Sequence, residues 1–395
     1  MARSARGRLS WPRLVTSHEA APRPSPEEGA QPGAPRVRSG AVRIVVAHDL
    51  GTSLDLASAS ELLAAAGGSA RSLEGPTRSA AARFRFDAAS LEVAGRSTEP
   101  AFEATLHASG GLSLCWTIPF EGELEELVDL SARLSDRTPF VVEARAHAAR
   151  ILEWLGDAVE EPRVSEVAED YVIVHVESFE EPLGAAELCE RHAGVLARIL
   201  RSEAGRLSEE EMRSALEGRV SYGRSDAAVV DWSVAFVFDR DRADFEIVRS
   251  VLEFVNLQLV EMRGLDDELD RSLERASSAL AAAPGRFRGL LSGHSRRELY
   301  AVARMQVDGA LLFERVGNTL KVVGDPYLVR IHREAVRRFG LGAWDVSVQR
   351  KLGAIGATYD KLHDHASARR LELLEWIIIW LIAVSIVLPF LGAPK

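Results

Sequence analysis

Asp49-Leu-Gly51-Thr52 follows the apolar run Val45-Val46-Ala47 and carries the residue types of a phosphate loop. The carboxylate could hold a metal-bound water, and the glycine would let backbone amides approach a phosphate. A nucleotide site needs further phosphate-cradling elements, and the sequence has no Gly-x-x-x-x-Gly-Lys-Ser/Thr loop. The simpler expectation is a strand-to-helix turn with Thr52 or Ser53 as the helix N-cap. His363 and His365 flank Asp364, but residues i and i+2 of a helix point about 200° apart and share a metal poorly. Cys115 sits beside Trp116 in an apolar run with no basic neighbour to lower its pKa, which predicts a core thiol. The acids from Glu121 to Asp129 do not converge at ligand spacing and predict a solvated helix face. No catalytic set, cofactor site or metal site is expected.

The elements that would position these residues follow from periodicity. Ala41–Ala47, Ala82–Phe86, Ala104–Ala108, Leu112–Ile118 and Tyr171–Val176 read as strands. Gly110-Gly111 turns the third into the fourth, and Pro119 is expected to stop it. Leu54–Ala66 and Glu121–Leu134 read as helices. Residues 41–182 are therefore expected to form a small α/β domain with a mainly antiparallel sheet, behind a basic, Pro-rich arm at 1–40. Residues 183–370 are expected to be helical. Leu188–Ala204 is one helix, Ser208-Glu-Glu-Glu211 is a capping box opening the next, and Asp244–Ala283 is long, with Gly264 a candidate kink. Tyr300–Val316 and Pro326–Phe339 follow, while Asp231–Asp239 fits either a strand or a buried helix. The fold class is α+β.

Net charge is −10, yet residues 1–43 hold eight Arg against three acids. The acidic remainder argues against a general nucleic-acid binder, because phosphate contacts need Lys and Arg on one face. Contact with RNA or a ribosome would fall to the arm, which reads as disordered, with a transit peptide as the alternative. Cys115 and Cys189 are the only two cysteines, which suits a reducing compartment and no disulfide framework.

From Trp376 to Ala393 there are 18 residues without charge. That is about 27 Å of helix, close to a bilayer's hydrocarbon thickness of about 30 Å. Trp376, Ile377, Ile378, Ile379, Trp380, Leu381, Ile382, Val384, Ile386, Val387 and Leu388 leave no polar stripe, so residues 371–395 are expected to be a single C-terminal transmembrane anchor in the lipid bilayer. Arg369 and Arg370 precede it and favour a cytoplasmic body. Leu352, Ile355, Tyr359, Leu362, Ala366, Arg369 and Leu373 form a seam at spacings of 3 and 4. It packs either on the long helix of the same chain or on a second copy.

Leu374-Glu375-Trp376-Ile-Ile-Ile-Trp-Leu-Ile382 resembles the C-terminal signature of the family called "required for meiotic nuclear division", also domain of unknown function 155. Lys351-Leu352 and Tyr359 stand where that family has a Lys-Leu…Tyr helix leading to its anchor, and Gly111-Leu-Ser-Leu-Cys-Trp116 stands at its Gly-to-Trp strand. Thr117-Ile-Pro119 departs from the glycine that usually follows the Trp. The resemblance spans roughly residues 41–391 and implies a divergent, bacterial-type member. It implies an oligomeric membrane protein tied to translation and carries no catalytic residues. The expected function is a membrane-anchored, non-enzymatic scaffold in a bacterial inner membrane rather than a mitochondrial one. A homo-oligomer and a protein or ribosome partner are expected. The alternative is a membrane-tethered nucleotide-binding enzyme using Asp49, Gly51 and Thr52.

Overall fold

The computed structural model describes residues 35–73, 80–281, 325–357 and 378–382. In chain order the elements are β1 (Arg36–Asp49), β2 (Ser53–Leu54), α1 (Leu56–Ala65), β3 (Ser69–Arg71), β4 (Ala81–Asp87), β5 (Glu92–Val93), β6 (Arg96–Ser97), β7 (Ala101–His107) and β8 (Gly111–Glu123). Next come α2 (Glu126–Arg133), α3 (Thr138–Leu155), β9 (Val159–Glu160), β10 (Ala168–Phe179), α4 (Ala185–Arg191), α5 (Ala193–Arg201) and α6 (Glu209–Leu216). The last are β11 (Arg219–Val220), β12 (Ala227–Val230), β13 (Val234–Phe238), α7 (Arg242–Ala281) and α8 (Pro326–Arg338), followed by a helix over residues 341–357.

Nine strands make one sheet in the order β11-β12-β13-β10-β1-β8-β7-β4-β3. Its long central strand, β1, pairs antiparallel with both β8 and β10. β13 runs parallel to β10, which makes the sheet mixed. Val42, Ile44 and Val46 of β1 join Leu112, Leu114, Trp116 and Ile118 of β8 on one face, where α1, α2, α3 and α5 pack. Val45 and Ile173 face the other way, under α7 and α8. The sheet is thus sandwiched between helical layers, and a helical region follows it.

The structure corrects several boundaries. The sheet does not end at 182: after α4 to α6 the chain returns as β11, β12 and β13. Ala227–Val230 and Val234–Phe238 are buried at every position, so they lack alternation and read equally well as buried helix. Pro119 does not stop β8. Thr117 accepts a bond from the Glu99 amide, away from β1, and residue 119 has the same polarity. The missing N–H therefore faces the side where β7 has already ended, and proline is tolerated at such an edge. Glu121 and Glu123 extend this strand, and the acidic helix begins only at Glu126. The helix expected over Leu188–Ala204 is two helices that meet at His192. Asp55, rather than Thr52 or Ser53, caps α1 by accepting the Ala57 amide. Ser208 does cap α6, accepting from the Glu211 amide at 3.2 Å. The long helix is continuous through Gly264. The arm at 1–34, Tyr300–Val316 and the seam from Tyr359 to Leu373 lie outside the described residues.

Candidate functional site

Beside its apolar patch, the sheet face beneath α7 carries a group of buried polar residues. On adjacent strands it presents Arg43 of β1, Ser113 of β8, Glu103, Thr105 and His107 of β7, and Arg83 of β4. α7 meets them with Glu246, Arg249 and Glu253, whose spacing puts all three on one helix face. Arg83 donates from Nη2 to Glu253 Oε2 at 2.7 Å, from Nη1 to Glu246 Oε2 at 2.8 Å and from Nε to Thr105 Oγ1 at 2.9 Å. Arg249 donates from Nε to Glu253 Oε1 at 2.7 Å, and its Nη1 lies 2.6 Å from Glu103 Oε2. Arg43 completes the group 3.6 Å from Glu246 and lies over the Phe245 ring at 4.4 Å. Phe245 in turn stacks on His175 with ring centres 3.7 Å apart.

Three arginines thus face three glutamates with no net charge. Burial alone would raise the Glu253 pKa, but Arg249 and Arg83 overcome it and hold the carboxyl at about 2. Burial pushes the Cys115 thiol up to about 12, so this thiol is a core group and not a nucleophile near neutral pH. Burial likewise holds His107 at about 4 and His175 at about 3, both neutral near pH 7. Groups fixed in one protonation state do not shuttle protons. What this arrangement does is hold α7 against the sheet through directional bonds. Among the described residues no group of three His, Cys, Asp or Glu side chains is placed to hold a metal ion directly.

Gly111 and Lys351 of the signature lie at the same junction, and Trp116 lies on the opposite face. A Cβ on Gly111 would lie 2.2 Å from Leu257 of α7, so glycine here permits the helix to approach. Trp116 is 1 % exposed and packs edge-on against Phe140 and beside Phe102, which makes it core. Lys351 bridges Asp266 and Asp270 of α7 at 2.7 and 2.6 Å, and Leu352 is buried. With Val348 and Ile355 fully buried, the described part of the seam packs within this chain. Tyr359, Leu374, Glu375 and Trp376 lie outside the described residues, as do Ile377, Val384, Ile386, Val387 and Leu388. Ile378, Ile379, Trp380, Leu381 and Ile382 are helical and each 53 to 70 % exposed. Among the described residues no helix is long and apolar enough to cross a membrane.

The Asp49-Leu-Gly51-Thr52 turn is engaged by its own chain. The Thr52 amide donates to Glu160 O at 3.0 Å and the Gly51 amide to Asp49 Oδ1 at 3.2 Å. A Cβ on Gly51 would meet Glu160 O at 2.5 Å, so the glycine serves the approach of β9.

The ionic cluster was not anticipated. Its signal was present, since Arg or Glu alternates with apolar residues on β1, β4 and β7 while α7 carries acids and Arg at matching intervals. A family model described as "Uncharacterized protein MJ0711, N-terminal domain" matches residues 39–244, just over half of the 395-residue chain. The chain belongs to this family. The MJ0711 N-terminal-domain match begins within β1 and ends in the first turn of α7, so it encloses the sheet and stops where the covering helix starts. No curated protein matches the chain.

Proposed function

We propose that the chain is a membrane-anchored, non-enzymatic scaffold of the kind suggested by its resemblance to the "required for meiotic nuclear division" family. The observation that carries this reading is the run Ile378–Ile382, five consecutive large apolar residues on a helix, all more than half exposed. Exposure on every side suits lipid, since a soluble helix turns such residues to one covered face. The uncharged stretch continues to Ala393, and Arg369 and Arg370 favour a cytoplasmic body at a bacterial inner membrane. The Lys351 ion pairs to Asp266 and Asp270 tie the described segment that precedes the proposed anchor to α7. The head would then present its sheet domain to a partner, a second copy or a ribosome.

The test is extraction with alkaline carbonate. Full-length protein should stay in the membrane pellet, and a variant lacking Trp376–Lys395 should be released. A truncated chain that remains in the pellet would refute the tail anchor. Purification of the full-length protein in mild detergent then separates the partners: stoichiometric ribosomal proteins support a translation-linked tether, and a clean homo-oligomer supports a structural assembly.

A further inference from the structure

The β12–β13 ladder pairs Ala227 with Phe238 and, carried one step further, sets Asp226 opposite Asp239. Opposed residues on an antiparallel pair have Cβ atoms about 5 Å apart, and like charges there repel. Alternation directs both side chains to the face of Ala228 and Val237, the one covered by α7 and α8. They are only 9 and 7 % exposed. Two helix starts converge on the same place, bringing Asp241 and Asp244 at the head of α7 and Asp325 as the N-cap of α8. Among the described residues none of these five carboxylates forms a salt bridge.

Local bonds account for part of this cluster. Asp226 accepts the Tyr222 and Gly223 amides at 2.7 and 2.5 Å, and Asp239 Oδ1 accepts the Asp241 amide at 2.9 Å. Asp241 and Asp325 cap their helices, where acids are favoured. Tyr327 is left over. It is 7 % exposed, and its hydroxyl is buried without a hydrogen-bond partner. Burial first, then the charges of Asp226, Asp239 and Asp244, raise its pKa against Arg330, which lies 5.9 Å from the ring, so the hydroxyl stands within the field of the acidic group. Burial first, then Asp244, Asp226 and Asp241, raise Asp239 to about 6 against the bond from the Asp241 amide, the sign of a carboxylate short of a counter-ion. A buried hydroxyl without a partner beside carboxylates calls for a polar, positively charged partner.

No three of these acids are placed to ligate a bare ion. Magnesium does not require that, because it keeps several waters and is commonly held by one or two carboxylates. Asp239 also lies just beyond the carboxyl end of β13, which runs parallel to β10, and open sheets receive ligands at such ends. We propose that Asp226 and Asp239 bind a hydrated divalent cation of the magnesium type, with the Tyr327 hydroxyl bonded to one of its waters.

The experiment is thermal unfolding of the full-length protein in mild detergent, with EDTA, with MgCl2, or with KCl at matched ionic strength. Magnesium at tenfold over its Kd should raise Tm by about 2 °C, and KCl should not. Asp239→Asn and Asp226→Asn should each abolish the shift while keeping the native circular dichroism. Without metal, Asp239→Asn should melt above the wild type, because it removes the opposed charge. Tyr327→Phe should weaken magnesium binding several-fold. The proposal fails if the wild type shows no magnesium-specific shift, or if Asp239→Asn keeps the shift in full.

Discussion

Replacing Arg249 by Met tests whether the ionic cluster acts as a unit. Arg249 is 2 % exposed and Glu253 is 1 % exposed, so neither can turn to water when its partner is lost. Methionine keeps the packing of the aliphatic stem and removes only the charge and its donors. Two arginines would then face three glutamates, with Glu253 Oε1 and Glu103 Oε2 losing the contacts at 2.7 and 2.6 Å. Removing one partner of a buried pair costs about 3–5 kcal/mol. The retained bond from Arg83 to Glu253 places the expected loss near the lower end, about 3 kcal/mol. Arg249→Met with Glu253→Met restores balance, leaving Arg43 and Arg83 with Glu103 and Glu246. Apolar replacements of whole buried pairs are often close to neutral, so the double variant should lie within about 2 kcal/mol of the wild type. Urea unfolding of the full-length protein in mild detergent, followed by near-ultraviolet circular dichroism, measures both. A single variant within about 1 kcal/mol of the wild type, or a double variant at the sum of the singles, would refute the argument.

Two further outcomes follow from the same layer. Gly111→Ala should destabilise by about 1–3 kcal/mol, because its Cβ meets the buried Leu257 at 2.2 Å; adding Leu257→Ala should recover part of the loss, and a neutral Gly111→Ala would refute the close approach. Burial holds His48, His107 and His332 at about 4 and His175 at about 3, whereas an unfolded His takes its proton near pH 6.5. Protons therefore favour the unfolded chain: stability is intact above pH 6.5 and is lost as pH falls toward 4, by up to about 1.4 kcal/mol per pH unit for each His. Asp239, raised to about 6, acts in the opposite sense, because its cost to the folded state is present above pH 6 and relieved below it. Urea melts in magnesium-free buffer at pH 7, 6 and 5 should show a steep net loss, and equal stability at pH 7 and 5 would contradict it.

The antiparallel half of the sheet was legible because its strands alternate or carry a glycine turn. Gly110, at φ +91, takes the left-handed conformation that such a turn needs. β12 and β13 escaped because burial on both faces erases alternation, and Pro119 misled because its effect depends on which neighbour the missing N–H faces. Gly111 and Lys351 were singled out by resemblance, and the structure supplies their physical role as contacts to α7. The cluster around Glu253 was hidden by a rule that normally works, in which every second polar residue of a strand faces water. Here a helix with complementary charges covers that face.

The central place of β1 has a consequence for synthesis. Among the described residues it is the first strand to leave the ribosome, yet one neighbour, β10, lies more than 100 residues later, where His48 pairs with Ala168. At about 5–20 residues per second, β1 waits roughly 6–25 s for that partner. During this time Ile44-Val45-Val46-Ala47 is an apolar strand with an open edge, the type of segment that aggregates. The high sequence separation of its contacts also predicts slow closure of the sheet. The nascent chain is therefore expected to depend on a chaperone until β10 emerges.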